Sequence, residues 1–377
     1  MAIQVSTLPD IGDLGSQPKV DRALYLKTLL GQRSSLSAPT TGEWLQRLRD
    51  RAAEIASELA IPSTRDEEWR FTDLSPILQT TFVPGTLANI GTQDLQSYLL
   101  PEEHNRLVLV NGAYASGLSA IAGLPEGAIV GDLADVLKHS TLANKIQNYL
   151  AKVPGAEEVF TALNTASFTN MAIVFVPRNV QVETPIQLLY VSTAEENPTL
   201  SHPRCLVIAE SGSHFTLVED YVAVGAGVYF TNSVTEIWVA ENAQVNHTRI
   251  QRDSNSSAFH IGKTAVSQAR DSRYTCHAMS LGGSISRHNL EVYQTGEQTE
   301  TTLNGLTIIG GEQLADTHST IAYTKPHGTS HQIHKCIIDD RAHAVFNGKV
   351  FVPKPAQLTD AGQLNRNLLL SPKARVD

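Results

Sequence analysis

The stretch LTIIGGEQLADTHSTIAYTKPHGTSHQIHKCIIDDRAHAVFNGKVFV, residues 306–352, decides the fold. It contains four short runs, LTIIG, STIAYT, HKCII and AVFNGKVFV, rich in the β-branched and aromatic residues that suit a strand. Working back toward the N-terminus, the same beat continues through NLEVY, YTCHAM, HIGKTAV, VNHTRI, VTEIWV, FTLVEDYV, CLVIA and IQLLYV to AIVFV, just after Met171. The runs start roughly every 13 to 15 residues and are joined by small polar turns such as Glu210-Ser211-Gly212-Ser213 and Gln294-Thr295-Gly296-Glu297. No amphipathic helix interrupts them. Two arrangements satisfy such a series: antiparallel hairpins in a sandwich or barrel, or a solenoid whose strands stack one coil on the next. Few turns carry the Asn-Gly or Asp-Gly pair of a tight hairpin. Segments such as GLTIIG and HKCIIDD alternate imperfectly, as a flattened coil with a narrow interior tolerates. The sequence therefore predicts a mainly β chain built on a flattened solenoid.

Upstream of the strand series the period is helical. Between Glu43 and Ala60 the apolar positions Trp44, Leu45, Leu48, Ala52, Ile55, Ala56 and Leu59 recur at three- and four-residue steps, with Arg47, Arg49, Asp50, Arg51 and Glu54 largely on the other side, and Pro62 ends the helix. Weaker helical stretches are predicted near 92–100, 132–151 and 156–166. Three segments result: a helical N-terminal domain over 1–100, a mixed α/β lead-in over 101–170, and a β core over 171–377.

Charge and composition exclude several classes. Lys and Arg number 29 against 38 Asp and Glu, a formal charge of -9 with no basic stripe, so a grip on nucleic-acid phosphates is not encoded. No apolar run approaches the roughly 18 residues of a membrane helix. The first residues, MAIQVSTLPDIGDLG, carry neither an export signal nor a transit peptide. Cys205, Cys276 and Cys336 are widely spaced and form no C-x-x-C. A cytoplasmic protein is expected.

Eleven of the thirteen histidines lie between His202 and His343, most densely at His327, His331 and His334, with Cys336 beside them. On a strand His334 and Cys336 point the same way, roughly 6.5 to 7 Å apart at the backbone, a spacing that suits two ligands of one ion. His331 has the opposite parity and faces away unless a turn intervenes; a third ligand would come from a neighbouring coil, with His318 or Asp339 as candidates. The simpler account outweighs this one: loop histidines and a stacked inward His/Cys pair. Cys276 and His277, adjacent on a strand, cannot pair directly. Cys205 reads as core. No G-x-S-x-G, H-E-x-x-H, Walker A or dinucleotide fingerprint is present. A β-solenoid polysaccharide lyase or hydrolase would need a charged groove, and the tight Asp339, Asp340 and Arg341 cluster reads better as a solvated turn.

Two stretches carry a resemblance to a known family. DEEWRFTDLSPI (Asp66–Ile77) and AVFNGKVFVPKPAQLTDAGQLNRNLLLSPKARVD (Ala344–Asp377) resemble, in order and spacing, segments of the SufB/SufD family of the SUF iron–sulfur cluster assembly system. In the second, Phe346-Asn347-Gly348-Lys349, Gln357-x-Thr359-Asp360-Ala361 and Gln363-x-Asn365-x-Asn367-Leu368-Leu369-Leu370 match; the E-E-W-R element favours the SufD branch. The resemblance implies a right-handed parallel β-helix behind an N-terminal helical domain. It also implies a non-catalytic scaffold that pairs through the β-helix with SufB or with itself, works with the ATPase SufC, and takes part in iron acquisition. A plain homodimeric module that binds no metal is the alternative within that fold. No tightly bound cofactor is expected; an iron or iron–sulfur cluster would sit at a shared interface. Family members continue beyond the A-R-V-D element into more β-helix, a Cys/His segment and the C-terminal helices that dock SufC. This sequence ends at Asp377, so a truncated core is expected, and the resemblance supplies no ligand residue. His331, His334 and Cys336 are nominated from spacing alone.

Overall fold

The computed structural model describes residues 20–35, 42–100, 105–155, 158–193, 197–253 and 257–377. The N-terminal stretch read for targeting signals, and Ala156 and Glu157 at the head of the 156–166 helix, lie outside the described residues.

Each of the runs quoted above falls on a strand, and successive strands alternate between two sheets. Arg204–Ala209 enters the first sheet, His214–Val224 the second, Tyr229–Val239 the first again, and so on. Each strand pairs in parallel with its equivalent one coil later: Tyr229 lies opposite Ala258, Ile285 opposite Leu314, and Leu314 opposite His343. Two strand beats therefore make one coil, and about seven coils stack into a parallel solenoid. The hairpin alternative is excluded, since among the described residues antiparallel strand pairing is confined to the first strands, Arg106–Val110 with Ala113–Tyr114 and Ile129–Asp132 with Ala172–Val176. The second sheet takes Arg106–Val110 as a strand parallel to Ile186–Thr193, so the sheets begin upstream of the change in period at Met171.

The two sheets differ on their outer faces, and the sequence shows why. The first sheet is covered by the N-terminal helices except at its last strands, where Phe351 is exposed: Phe230, Phe259, Ile261 and Ile285 pack against Leu26, Trp69, Ile77 and Phe82, while Leu206 and Ile208 pack against Leu45, Leu133 and Ile146. Its strand Ala258–Gln268 is accordingly buried at every position. Beyond its first strands, where Leu95 packs on Val108, Val110 and Val191, the second sheet faces solvent. There burial alternates residue by residue, as in Gln244–Gln251 and Thr329–Ile338.

The corner leading from the first sheet to the second has one geometry throughout. Asn179, Gly212, Asn242, Asp271, Gln298, His327 and Leu358 sit there, one per coil, all left-handed with φ between 56° and 70°. Asn, Gly and Asp tolerate this region, whereas Gln298, His327 and Leu358 hold it at a cost of roughly 1–2 kcal/mol each. His327, one of the clustered histidines, is thus a corner residue.

Among the helices, Glu43–Glu58 matches its predicted span, with one correction. Arg49 lies on the buried stripe with Leu45, Ala52 and Ala56: its guanidinium donates to the Phe168 carbonyl at 2.8 Å and stacks 4.7 Å over that ring. The helix Arg22–Gly31 was not signalled, because RALYLKTLLG carries leucines on more than one face and Leu24 is exposed.

The solenoid interior is a continuous apolar core toward one corner, where Leu217, Val245, Ile237, Val266 and Val292 are fully enclosed or nearly so. Leu217→Ala should lower stability by about 2–4 kcal/mol in denaturant unfolding; a change within 0.5 kcal/mol would contradict close packing at that position.

Candidate functional site

The strand Thr329–Ile338 separates the residues nominated from spacing. His331 points out and is exposed; His334 and Cys336 point in and are buried. The His334 ring stacks on Phe346 at 4.4 Å and 12°, and its Nε2 lies 3.2 Å from Thr307 Oγ1. Burial lowers its pKa to about 4 and raises the Cys336 thiol to about 11, so at neutral pH this is an uncharged inward pair. Of the third-ligand candidates, His318 is engaged elsewhere, as described below. Asp339 lies at the coil corner with Asp340 and Arg341, where its Oδ1 accepts the Asp340 N–H at 2.8 Å.

A charged network that the sequence motifs do not signal lies nearer the first coils. The parity of FTLVEDYV puts Glu219 inward with Phe215, Leu217 and Tyr221, and that of VNHTRI puts His247 and Arg249 inward with Val245. Glu219 Oε2 is 2.9 Å from His247 Nε2, and its Oε1 accepts from Thr235 Oγ1 at 2.7 Å. Burial opposes charge on both partners. The contacts with Cys276 and Glu219 nevertheless hold His247 up at about 9, the carboxylate being much the closer, and the His247 and Thr235 contacts hold Glu219 below its usual range. His247 Nδ1 then donates to the Tyr274 oxygen at 2.8 Å. Arg249 Nη2 donates at 2.8 Å to His260 Nε2, which leaves the neutral His260 ring its proton on Nδ1, facing Asp253 Oδ2 at 3.1 Å. Glu219 and Asp253 thus balance His247 and Arg249 inside the coil, as buried ions require. This is a strut rather than a ligand set. The two His247 nitrogens face opposite ways, toward Glu219 and toward Tyr274 and Cys276, so no single ion can take all three. Among the described residues no group of three or more His, Cys, Asp or Glu is placed to hold a metal.

Glycines admit these polar groups. A Cβ on Gly305 would lie 2.0 Å from His334 Nδ1, and one on Gly348 would lie 1.8 Å from Gln363 Nε2. Two elements of the C-terminal signature, F-N-G-K and Q-x-N-x-N, therefore fit into each other.

On the outer face of the first sheet the two signature stretches meet. Glu68 of E-E-W-R accepts from Lys349 of F-N-G-K, and its Oε2 lies 3.1 Å from His318 Nδ1. His318 Nε2 lies 2.9 Å from Asp316 Oδ1. The buried Asp316 also receives Arg287 and the Thr72 hydroxyl, and the Arg287 guanidinium lies 3.9 Å over the Trp69 ring. This seam borders an open pocket of about 130 Å³ lined by Glu67, Phe71, Asn347 and Asp377.

The model of the SUF system FeS cluster assembly SufBD core domain matches residues 190–377, and that of the SufBD protein N-terminal region matches residues 22–188. The chain belongs to the SufB/SufD family. It is similar to an iron–sulfur cluster assembly SufBD family protein of Synechocystis, 41% identical over 96% of this chain and 80% of the relative. It is 27% identical to the iron–sulfur cluster assembly protein SufD of Escherichia coli, over 84% of this chain and 72% of that protein, and 27% identical to SufD of Bacillus subtilis, over 97% and 82%. In this SufB/SufD chain the seam gives the E-E-W-R element a physical role, because Trp69, Glu68 and Thr72 clamp the N-terminal region to the middle and later coils. Replacing Asp316 by Ala strands Arg287 beside Trp69 and should cost about 3–5 kcal/mol. Denaturant unfolding that leaves the midpoint unmoved would refute the clamp.

Titration of the buried rings sets a pH dependence. His202 and His334 are held neutral by burial, with pKa values of about 3 and about 4 against 6.5 when unfolded. The unfolded chain therefore binds more protons below pH 6.5, and stability falls from there toward pH 3–4. His247, held at about 9, contributes stability that is present below pH 6.5 and lost as pH rises through 9. Thermal unfolding should show a maximum near pH 6.5. In His334→Gln the acid limb should be shallower; an unchanged acid limb would remove His334 from the account.

Proposed function

We propose that this chain is a non-catalytic scaffold subunit of a SUF iron–sulfur cluster assembly complex. It pairs through its solenoid with a SufB-like protein or a second copy of itself and works with a SufC-like ATPase in the cytoplasm. The observation that carries the reading is the family match across both regions of the chain, with relatives named as iron–sulfur cluster assembly proteins. The fold supports it. A stack of in-register coils is stiff, most of its first sheet is occupied by its own helices, and the later coils of its second sheet present Ile308, Ile333 and Leu364 to solvent beside Lys335 and Arg366. Such a body aligns partners. Iron and sulfide would be cargo at a shared interface, delivered in part through a role in iron acquisition, while ATP-driven motion enters from the partner.

Co-expression with SufB-like and SufC-like proteins should recover a stable complex on affinity purification of this chain; recovery of neither partner would overturn the proposal. In anaerobic reconstitution of that complex, His334→Ala and Cys336→Ser should leave iron content unchanged, because both side chains are neutral and enclosed. A loss of iron in either variant would make them ligands and would displace the purely structural account.

A further inference from the structure

Between the coils that carry Arg273–Ser280 and Thr329–Ile338, the two sheets border a small, partly open cavity of mixed lining, with Leu290 and Leu303 among its apolar walls. Gln332, Ser280, His288, Thr317 and Ser319 line it, and Gly305 forms part of its wall. One group in it is incomplete. Gln332 is buried, its Nε2 donates to Ser319 Oγ at 2.7 Å, and its Oε1 finds no donor among the described residues. An enclosed carbonyl oxygen without a donor costs about 1–3 kcal/mol, so something should donate to it. The surrounding chemistry restricts what that is. His288 lies well below its usual pKa through burial and the charges of Arg249 and His247, and His334 is lowered by burial to about 4. Both rings are neutral, so the cavity presents no counter-charge to an anion. Its free volume is about 10 Å³, at the lower limit for one water, roughly 10–15 Å³ by the same measure.

We propose that this cavity is a binding site for a single neutral hydrogen-bond donor the size of water, which donates to Gln332 Oε1. Water is the occupant that fits. Hydrogen sulfide is also a neutral donor, but its larger radius exceeds the space, and hydrosulfide is further disfavoured by its charge. The site is independent of the scaffold role, since it depends only on the interior of this chain.

A high-resolution crystal structure of the protein tests it directly. The expected result is one ordered water within hydrogen-bonding distance of Gln332 Oε1, absent from Gln332→Leu, whose side chain is one bond shorter and has no polar atom to hold it. Crystals soaked in sodium hydrosulfide should show no anomalous sulfur peak at the position. Three results would overturn the assignment: an empty cavity in the native protein, a Gln332 amide turned so that its oxygen finds a protein donor, or a sulfur peak in the soak. The native crystal decides the first two even if the leucine variant does not fold.

Discussion

Every coil in this molecule lies in register on the next, and that constraint governs the rest. An inward side chain has its equivalents from neighbouring coils on either side and the opposite sheet in front, so a polar group that takes an inward position finds most of its partners within the stack, Gln332 Oε1 being an exception. The Glu219–His247 and Arg249–His260–Asp253 contacts are what that rule produces where charge falls on inward parity. Gly305 and Gly348 are what it produces where a large polar neighbour needs room. Outward positions obey a different rule, set by whether helices lie over them.

Much of this architecture was legible because strand and helix periods differ. The run lengths gave the strands, and the scarcity of Asn-Gly and Asp-Gly turns pointed to coils rather than hairpins. What the corners use instead is a single left-handed residue, filled by Asn, Gly, Asp, Gln, His or Leu, a mixture too varied to stand out as a turn signal. The helix Arg22–Gly31 escaped notice because its leucines do not form one stripe, and Arg49 was misplaced because an arginine can lie flat on an aromatic ring in a buried face.

The site residues divide in the same way. Strand parity alone separates His331 from His334 and Cys336, and the structure places them on opposite faces. The same parity marks Glu219, His247 and Arg249 as inward, yet a charged residue in a β-rich run is easily passed over as solvent-facing. The seam was beyond reach. Glu68 and His318 are 250 positions apart, and no local pattern indicates that an acidic residue before Trp69 meets a lysine near the end of the sequence. The resemblance located both stretches without saying why they go together; their contact through Glu68 and Lys349 supplies the reason.

Stacking in one direction also makes the body mechanically anisotropic. Load applied along the strands is shared by many backbone hydrogen bonds sheared together, whereas tension along the stacking axis opens one ladder at a time. The clamp at Trp69 and Arg287 ties the helical layer across several ladders, much as a batten braces the laminations of a beam, so peeling from one end would be arrested there.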